Sequence, residues 1–235
     1  MWNIKCLAYE FLHSKSFQEF INNRFNDKNK VIIDKEYISH IVMKNGDLFY
    51  VSEDLDSSTS VYKEYRFDDI RKDDIVIDIG ANIGGFSIPA SRKSDYVYAL
   101  EPVTVSELKK NISLNKRNIH VMESALGNGN TLEIKWKGVH KQLKTMTLSD
   151  IKNNCGGCTF LKVDCEGEEW FIKPEELRGI RRIEMEVHAV GKKSLSVMEN
   201  ILKQAGFNYT YSKRGRYVGG FSVLWVVHAV NPNIN

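Results

Sequence analysis

Proline and cysteine are scarce in this sequence, with four of each in 235 residues. No apolar run reaches the roughly 18 residues that a membrane-spanning helix needs. Cys6, Cys155, Cys158 and Cys165 are too few and too unevenly spaced to be a disulfide framework in a chain of this length. Cys155-Gly156-Gly157-Cys158 is a CxxC, but no second ligand pair stands at a matching spacing, which excludes the usual zinc arrangement. The motif precedes a predicted strand instead of opening a helix after one, so it is not placed like a thioredoxin-type pair. These cysteines are expected to be structural. Neither sign of charge dominates: 33 Lys and Arg face 30 Asp and Glu, for a net +3. That balance permits nucleic acid as a partner without arguing for it. The opening segment MWNIKCLAYEFLHSKSFQEF lacks a basic stretch followed by an apolar one. The expected compartment is therefore the cytoplasm.

What is present suits a sizeable globular domain, at 42% hydrophobic and 27% charged residues. Residues 1–70 are expected to form an N-terminal α+β extension. Helical spacing of apolar residues runs over 4–24, and two short strands flank the turn KNGD. From residue 71 onward strands and helices alternate, and residues 71–235 are expected to be the main domain. IVIDIG is nearly continuous in apolar residues, as a strand buried on both faces should be. A helix is expected over 84–93, a strand at YVYALE, and an amphipathic helix over 104–118 with Thr104 and Glu107 as a capping box. Strands follow at IHVMES, TFLKVDCEG and RRIEMEVH, with a small hairpin over 131–146 and a short helix starting at TLSDI. A helix closed by Gly206 and a C-terminal antiparallel hairpin with KRGRY at its tip end the chain. This alternation predicts a doubly wound α/β fold with a mixed sheet, whose ligands sit at the carboxyl ends of the strands.

The glycine loop VIDIGANIGGFS follows the first of these strands. It reads GxxxGG and lacks the middle glycine that lets backbone approach a pyrophosphate, which counts against NAD or FAD. Asp78 sits just before the loop, where a carboxylate repels phosphate and suits a cation. Glu101 ends the second strand, where a carboxylate can accept from ribose hydroxyls. A ligand with ribose, positive charge and no phosphate fits S-adenosylmethionine (SAM). Its carboxylate would meet backbone N–H groups of the loop or of the following helix.

VIDIGANIGGFS, ALEPVTVSELKKNISLN, ESALG, FLKVDCEGEEW and IEMEVH occur in that order. This ordered set resembles the FkbM-type family of class I SAM-dependent methyltransferases, over roughly residues 60–190. The resemblance implies a seven-stranded Rossmann-like sheet with SAM across the ends of its first two strands and S-adenosylhomocysteine as product. By motif position it implies that Asp78, Gly80, Asn82 and Gly84, with Ala81 between them, form the first SAM motif. Glu101 with Pro102 would meet the ribose, Ser124 and Ala125 the adenine, and Asp164 the methionine moiety and the acceptor. It favours a hydroxyl on a sugar, glycolipid or secondary metabolite as acceptor.

Two neighbouring strands grow polar toward their carboxyl ends. Lys162, Asp164 and Glu166 share one face, and so do Glu184, Glu186 and His188. Asp164, Glu166 and His188 lie furthest out and are the candidate catalytic residues. Lys162 is expected to pair with Glu184 or Glu186, since an unpaired buried charge is costly. Glu166 could instead cap the next helix, and His188 could be a satisfied core histidine. The spacing of Asp164, Glu166 and His188 is not diagnostic of a metal, and none is expected. DCEG after the fourth strand differs from the Asn/Asp-Pro-Pro-aromatic run of enzymes that methylate base amines. The basic clusters are expected to be mostly solvated helix and loop ends. The rival readings are an RNA methyltransferase and a SAM-binding protein without catalysis.

Overall fold

The computed structural model describes residues 30–34, 37–50, 52, 61–136, 138–189, 192–215 and 223–234. The helix expected over 4–24 and part of the C-terminal hairpin tip lie outside these residues. β1 (Lys30–Asp34), β2 (Tyr37–Val42) and β3 (Leu48–Tyr50) form an antiparallel three-stranded sheet. The turn between β2 and β3 is the expected one, with Gly46 at φ +85°.

The main sheet has seven strands. They are β4 (Ile75–Ile79), β5 (Tyr96–Leu100), β6 (His120–Met122), β9 (Phe160–Val163), β10 (Arg182–Ala189), β11 (Asn208–Gly215) and β12 (Val223–Val230). Their spatial order is β6-β5-β4-β9-β10-β12-β11. The first five run parallel, while β12 runs antiparallel to both β10 and β11. The C-terminal hairpin thus closes one edge as expected. A further hairpin, β7 (Thr131–Trp136) with β8 (Val139–Lys144), stands outside this sheet. Helices α1 (Ser87–Ala90), α2 (Val105–Leu114), α3 (Leu148–Cys155) and α4 (Leu195–Gln204) fall between the strands.

Burial explains the apolar central strands. Ile77, Ile79, Leu100, Leu161, Val163 and Met185 are sealed in one core cluster, and Val76, Val97, Ala99 and Phe160 in another on the opposite side. Side chains of successive strand residues alternate between these two layers, as period two requires. Ile41, Met43, Phe49, Tyr65 and Ile70 join the second cluster, so the described part of the N-terminal extension shares the core of the main domain. Asp47 reinforces the join. It is fully buried, accepts from Tyr62 Oη at 2.8 Å, and pairs with Arg92 Nε at 2.6 Å.

Several local expectations are corrected. α1 has four residues, not ten, because two glycines open it and Pro89 lies inside it. A helix that short offers a ligand carboxylate no developed dipole, which leaves only loop N–H groups for that role. Thr104 and Glu107 form no capping box on α2. Glu101 instead accepts from the backbone N–H groups of Val103 and Thr104 just before the helix, and takes the Thr104 N–H that Glu107 would take in a capping box. A capping box does form on α3, between Thr147 and Asp150. Gly206, at φ +83°, follows α4 as expected. Cys155 and Cys158 are buried free thiols around the end of α3, and burial pushes Cys155 up to about 11.

Candidate active site

The chain leaves β4, builds β5 and β6 on one side of it, and then returns to place β9 on the other. The gap between the exits of β4 and β9 is the topological switch point, where ligands of such sheets bind. Gly80 and Asp164 meet there. A Cβ on Gly80 would lie 1.7 Å from the Asp164 carbonyl oxygen, and Gly80 sits at φ +73°. Only glycine fits both constraints. Gly84, at φ +99°, leaves room for Ile88 and Leu108 behind the loop. Asn82 takes the left-handed conformation at φ +49°.

Glu101 stands at the end of β5 beside this loop. One carboxylate oxygen accepts from Asn82 N–H at 2.8 Å, and the other from Val103 N–H at 2.7 Å and Thr104 N–H at 3.0 Å. Thr104 Oγ1 donates to Asn82 Oδ1 at 3.2 Å, closing the ring. A carboxylate offers about four lone-pair sites, so a rigidly held acceptor remains for a hydroxyl. Ala81 and Pro102 flank this ring in sequence. Ser124 and Ala125 are buried at the exit of β6. Ser124 also lines an open cleft of about 730 Å³ with Met122, Thr145 and Asp150.

Asp78 does not open onto the site. It is 0% exposed, accepts from Ser87 Oγ at 2.5 Å, and pairs with Lys162 Nζ at 3.1 Å. Lys162 therefore belongs to Asp78, not to Glu184 or Glu186, although Lys162 is in register with both Asp78 and Glu184. Glu184 is taken by Arg182 and by His228 Nδ1 at 2.6 Å. Lys162 Nζ also donates to the Gly80 carbonyl at 2.9 Å, which steadies the glycine loop from below. Burial works against the lysine charge, but Asp78 and Asp164 hold its pKa above the ordinary value.

The ends of β9 and β10 bring Asp164, Glu186 and His188 together, with one ligand atom of each inside a 4.8 Å radius of the others. Asp164 accepts from Tyr65 Oη at 3.1 Å. Burial opposes ionisation of Asp164, yet Lys162 and the surrounding donors keep its pKa below the usual carboxylate value. His188 Nε2 lies 3.5 Å from Glu166 and 3.6 Å from Glu186, and its Nδ1 lies 3.2 Å from Glu169. Burial alone would lower the imidazole pKa, but Glu169 and Glu186 raise it to about 9. Glu166 does not cap the following 3-10 turn (Glu168–Phe171), whose first flanking residue is Gly167. Glu166 sits instead at φ +57°, followed by Gly167 at φ +111°. Such a conformation is uncommon for a non-glycine residue and clusters at functional sites.

Two residues of this site escaped the sequence. Glu169 is fully buried and accepts from the backbone N–H groups of His188 and Gly167. Its place in the run EGEE offered only a helix-start signal. Tyr65 comes from the N-terminal extension, where no motif marked it.

Strand order, the reversed β12 and a site at the β4–β9 switch make this the Rossmann-like, doubly wound fold of class I methyltransferases. No protein-family model matches the chain. An uncharacterized RNA methyltransferase of Oceanobacillus iheyensis is 28% identical over 149 residues, which is 57% of this chain and 31% of that protein. The chain therefore spans about a third of that curated relative. Among solved structures, M. jannaschii TYW2 in complex with AdoMet aligns at TM-score 0.47 and 18% identity, over 86% of this chain and 90% of that one. Precorrin-6y C5,15-methyltransferase of Geobacter metallireducens aligns at TM-score 0.47 and 15% identity, over 77% and 93%. The fold assignment rests on the strand order itself. Among the described residues no helix is long and apolar enough to cross a membrane.

Proposed function

We propose that this chain is a SAM-dependent methyltransferase acting on a hydroxyl group. The observation that carries this reading is the rigid carboxylate of Glu101 at the end of β5, held by three backbone N–H groups beside a glycine loop at the switch point. The donor set fits the cofactor. Glu101 with Pro102 would meet the ribose hydroxyls, and the loop of Gly80, Ala81, Asn82 and Gly84 would meet the methionine end. Ser124 and Ala125 would border the adenine, and Asp164 would face the ammonium. Asp78 supports this set from within, through Lys162. Bound there, SAM supplies an already activated methyl group.

The chain's own residues must then align an acceptor and accept its proton. Alignment can be worth several kcal/mol of the barrier, of the order reached in well-oriented intramolecular reactions. With its pKa raised to about 9, His188 is a donor at neutral pH, not a base. It is suited to hold the acceptor oxygen, while a neighbouring carboxylate, Glu186 or Glu166, takes the proton. The FkbM-like ordering of motifs supports a sugar, glycolipid or secondary-metabolite hydroxyl as the acceptor. The carboxylates of Asp164, Glu166 and Glu186 would repel a phosphate, which also favours a neutral acceptor. The Oceanobacillus relative's name favours RNA as the second reading.

The experiment is a calorimetric titration with SAM of the wild-type chain and Glu101→Ala. Heat in the wild type that the variant loses supports the reading, and no heat from folded wild type withdraws it. Methyl label carried into an alkali-stable ether on a polyol or glycan supports hydroxyl transfer. Salt-sensitive RNA binding with label in RNA would favour the second reading.

A further inference from the structure

Behind the imidazole of His188 stands a buried carboxylate, and in front of it stand two more. Glu169 is fully buried, and its Oε1 lies 3.2 Å from His188 Nδ1. Glu169 is itself fixed, because it accepts from His188 N–H at 2.6 Å and from Gly167 N–H at 2.9 Å. The ring is therefore locked with Nε2 turned toward Glu186. A carboxylate on one ring nitrogen, orienting the other into a group of oxygen donors, is how proteins prepare a histidine to bind metal.

Charge points the same way. Lys162 neutralises Asp78 at 3.1 Å. Asp164, Glu169 and Glu186 crowd one imidazole, with Lys162 acting on Asp164 as well, in a space where Glu186 is 2% and His188 1% exposed. Buried charges are normally paired or bound to a metal. Tyr65 donates a hydrogen bond to Asp164 but brings no charge.

We propose that Asp164, Glu186 and His188 bind a divalent first-row cation at the exits of β9 and β10. Two carboxylates and one imidazole suit Mn²⁺ or a neighbouring ion, which takes the place of the proton that His188 Nε2 carries without it, so that binding releases a proton. Three protein ligands leave coordination positions for water or for a hydroxyl of the acceptor. An ion there would lower the pKa of a bound hydroxyl and ease loss of its proton. Only this last role rests on the methyltransferase reading; the ion site stands on its own geometry.

The test uses the full chain, stripped with chelator and dialysed. Mn²⁺ is titrated in while free Mn²⁺ is followed by electron paramagnetic resonance, and Co²⁺ is added separately to look for visible d–d bands. The expected result is one Mn²⁺ per chain. Affinity should fall at least about 10-fold in Glu186→Gln and His188→Asn, and about 10- to 100-fold in Glu169→Gln, the range for outer-shell partners. Glu107→Gln, a half-buried position on α2 away from the site, should bind as wild type does. No stoichiometric Mn²⁺ and no Co²⁺ bands in folded wild type would overturn the site, as would unchanged affinity in the folded Glu186→Gln and His188→Asn variants. The Co²⁺ bands need no variant, so a misfolded substitution does not rescue the idea. SAM calorimetry on the same preparation separates the two proposals. SAM binding without Mn²⁺ binding removes the ion alone, and Mn²⁺ binding without SAM binding keeps the ion and removes methyl transfer.

Discussion

Tyr65 and Asp164 stand 99 residues apart in sequence, and the Tyr65 hydroxyl donates to the Asp164 carboxylate at 3.1 Å. The bond ties the N-terminal extension to the exit of β9. The Tyr65 ring packs edge-on against Phe86 at 6.1 Å, and Lys162 Nζ lies 5.6 Å from its centroid. Burial and the nearby Asp164 raise the phenol pKa well above its ordinary value, so the hydroxyl stays a donor. Tyr65→Phe keeps the ring and removes the donor. A hydrogen bond to a charged group is worth about 1.5–3 kcal/mol, and urea unfolding should show a loss of that order. A change within about 0.5 kcal/mol would mean that the bond does not hold the two segments together.

Lys162 and Asp78 form a buried pair, and breaking one side strands the other. Lys162→Met should cost about 3–5 kcal/mol, because Asp78 is left charged without its partner. Adding Asp78→Asn should recover much of that loss, since the pair as a whole contributes little net stability. Denaturation of the two single variants and the double variant measures the coupling. Additive losses would show that the two residues act independently.

Gly80→Ala places a Cβ 1.7 Å from the Asp164 carbonyl oxygen, at φ +73°. The loop or the β9 exit must move. Cost of backbone strain of this kind is on the order of 1–3 kcal/mol. SAM affinity should fall with stability, since the same loop carries both. Wild-type affinity and melting temperature in this variant would show that the close approach is not needed.

Asp74 supplies the acid-side pH dependence. Burial opposes its charge, but Arg181, the Arg71 N–H and Thr159 Oγ1 together lower its pKa below the ordinary value. Arg181 Nε reaches it at 3.0 Å. A lowered folded pKa gives stability that is present above the unfolded value, near 3.9, and lost as pH falls through the folded one. Wild type should therefore lose stability below about pH 4 more steeply than Asp74→Asn. Parallel pH profiles of unfolding free energy for the two proteins would contradict this.

How much of the site was legible depended on distance along the chain. Gly80, Asn82 and Glu101 could be placed because loop and strand end lie close in sequence, and backbone geometry at each narrows the residue choice. Asp164, Glu166 and His188 could be grouped because strands alternate with period two on neighbouring strands, whereas Glu186, expected as a partner of Lys162, joins Asp164 and His188 only in the fold. The partner of Lys162 was misplaced because Asp78 and Glu184 share its register, one on each flanking strand. Pattern gives the row, and only packing selects the side. The cap expected from Thr104 failed for a related reason. Glu101 occupies the Thr104 N–H that Glu107 would take in a capping box, and the Thr104 hydroxyl goes to Asn82 instead of to the first turn of the helix.

The sequence alone determined the alternation of strands and helices, the glycine loop and the two acidic strand ends. These are local or periodic, so they follow from backbone sterics and the burial of apolar faces. The tertiary structure alone decided what surrounds the charges. It set Asp78 against Lys162, Glu169 behind His188 and Tyr65 over Asp164. The physical reason is that a buried charge is defined by its neighbours in space, and those neighbours come from segments that only the folded sheet brings together.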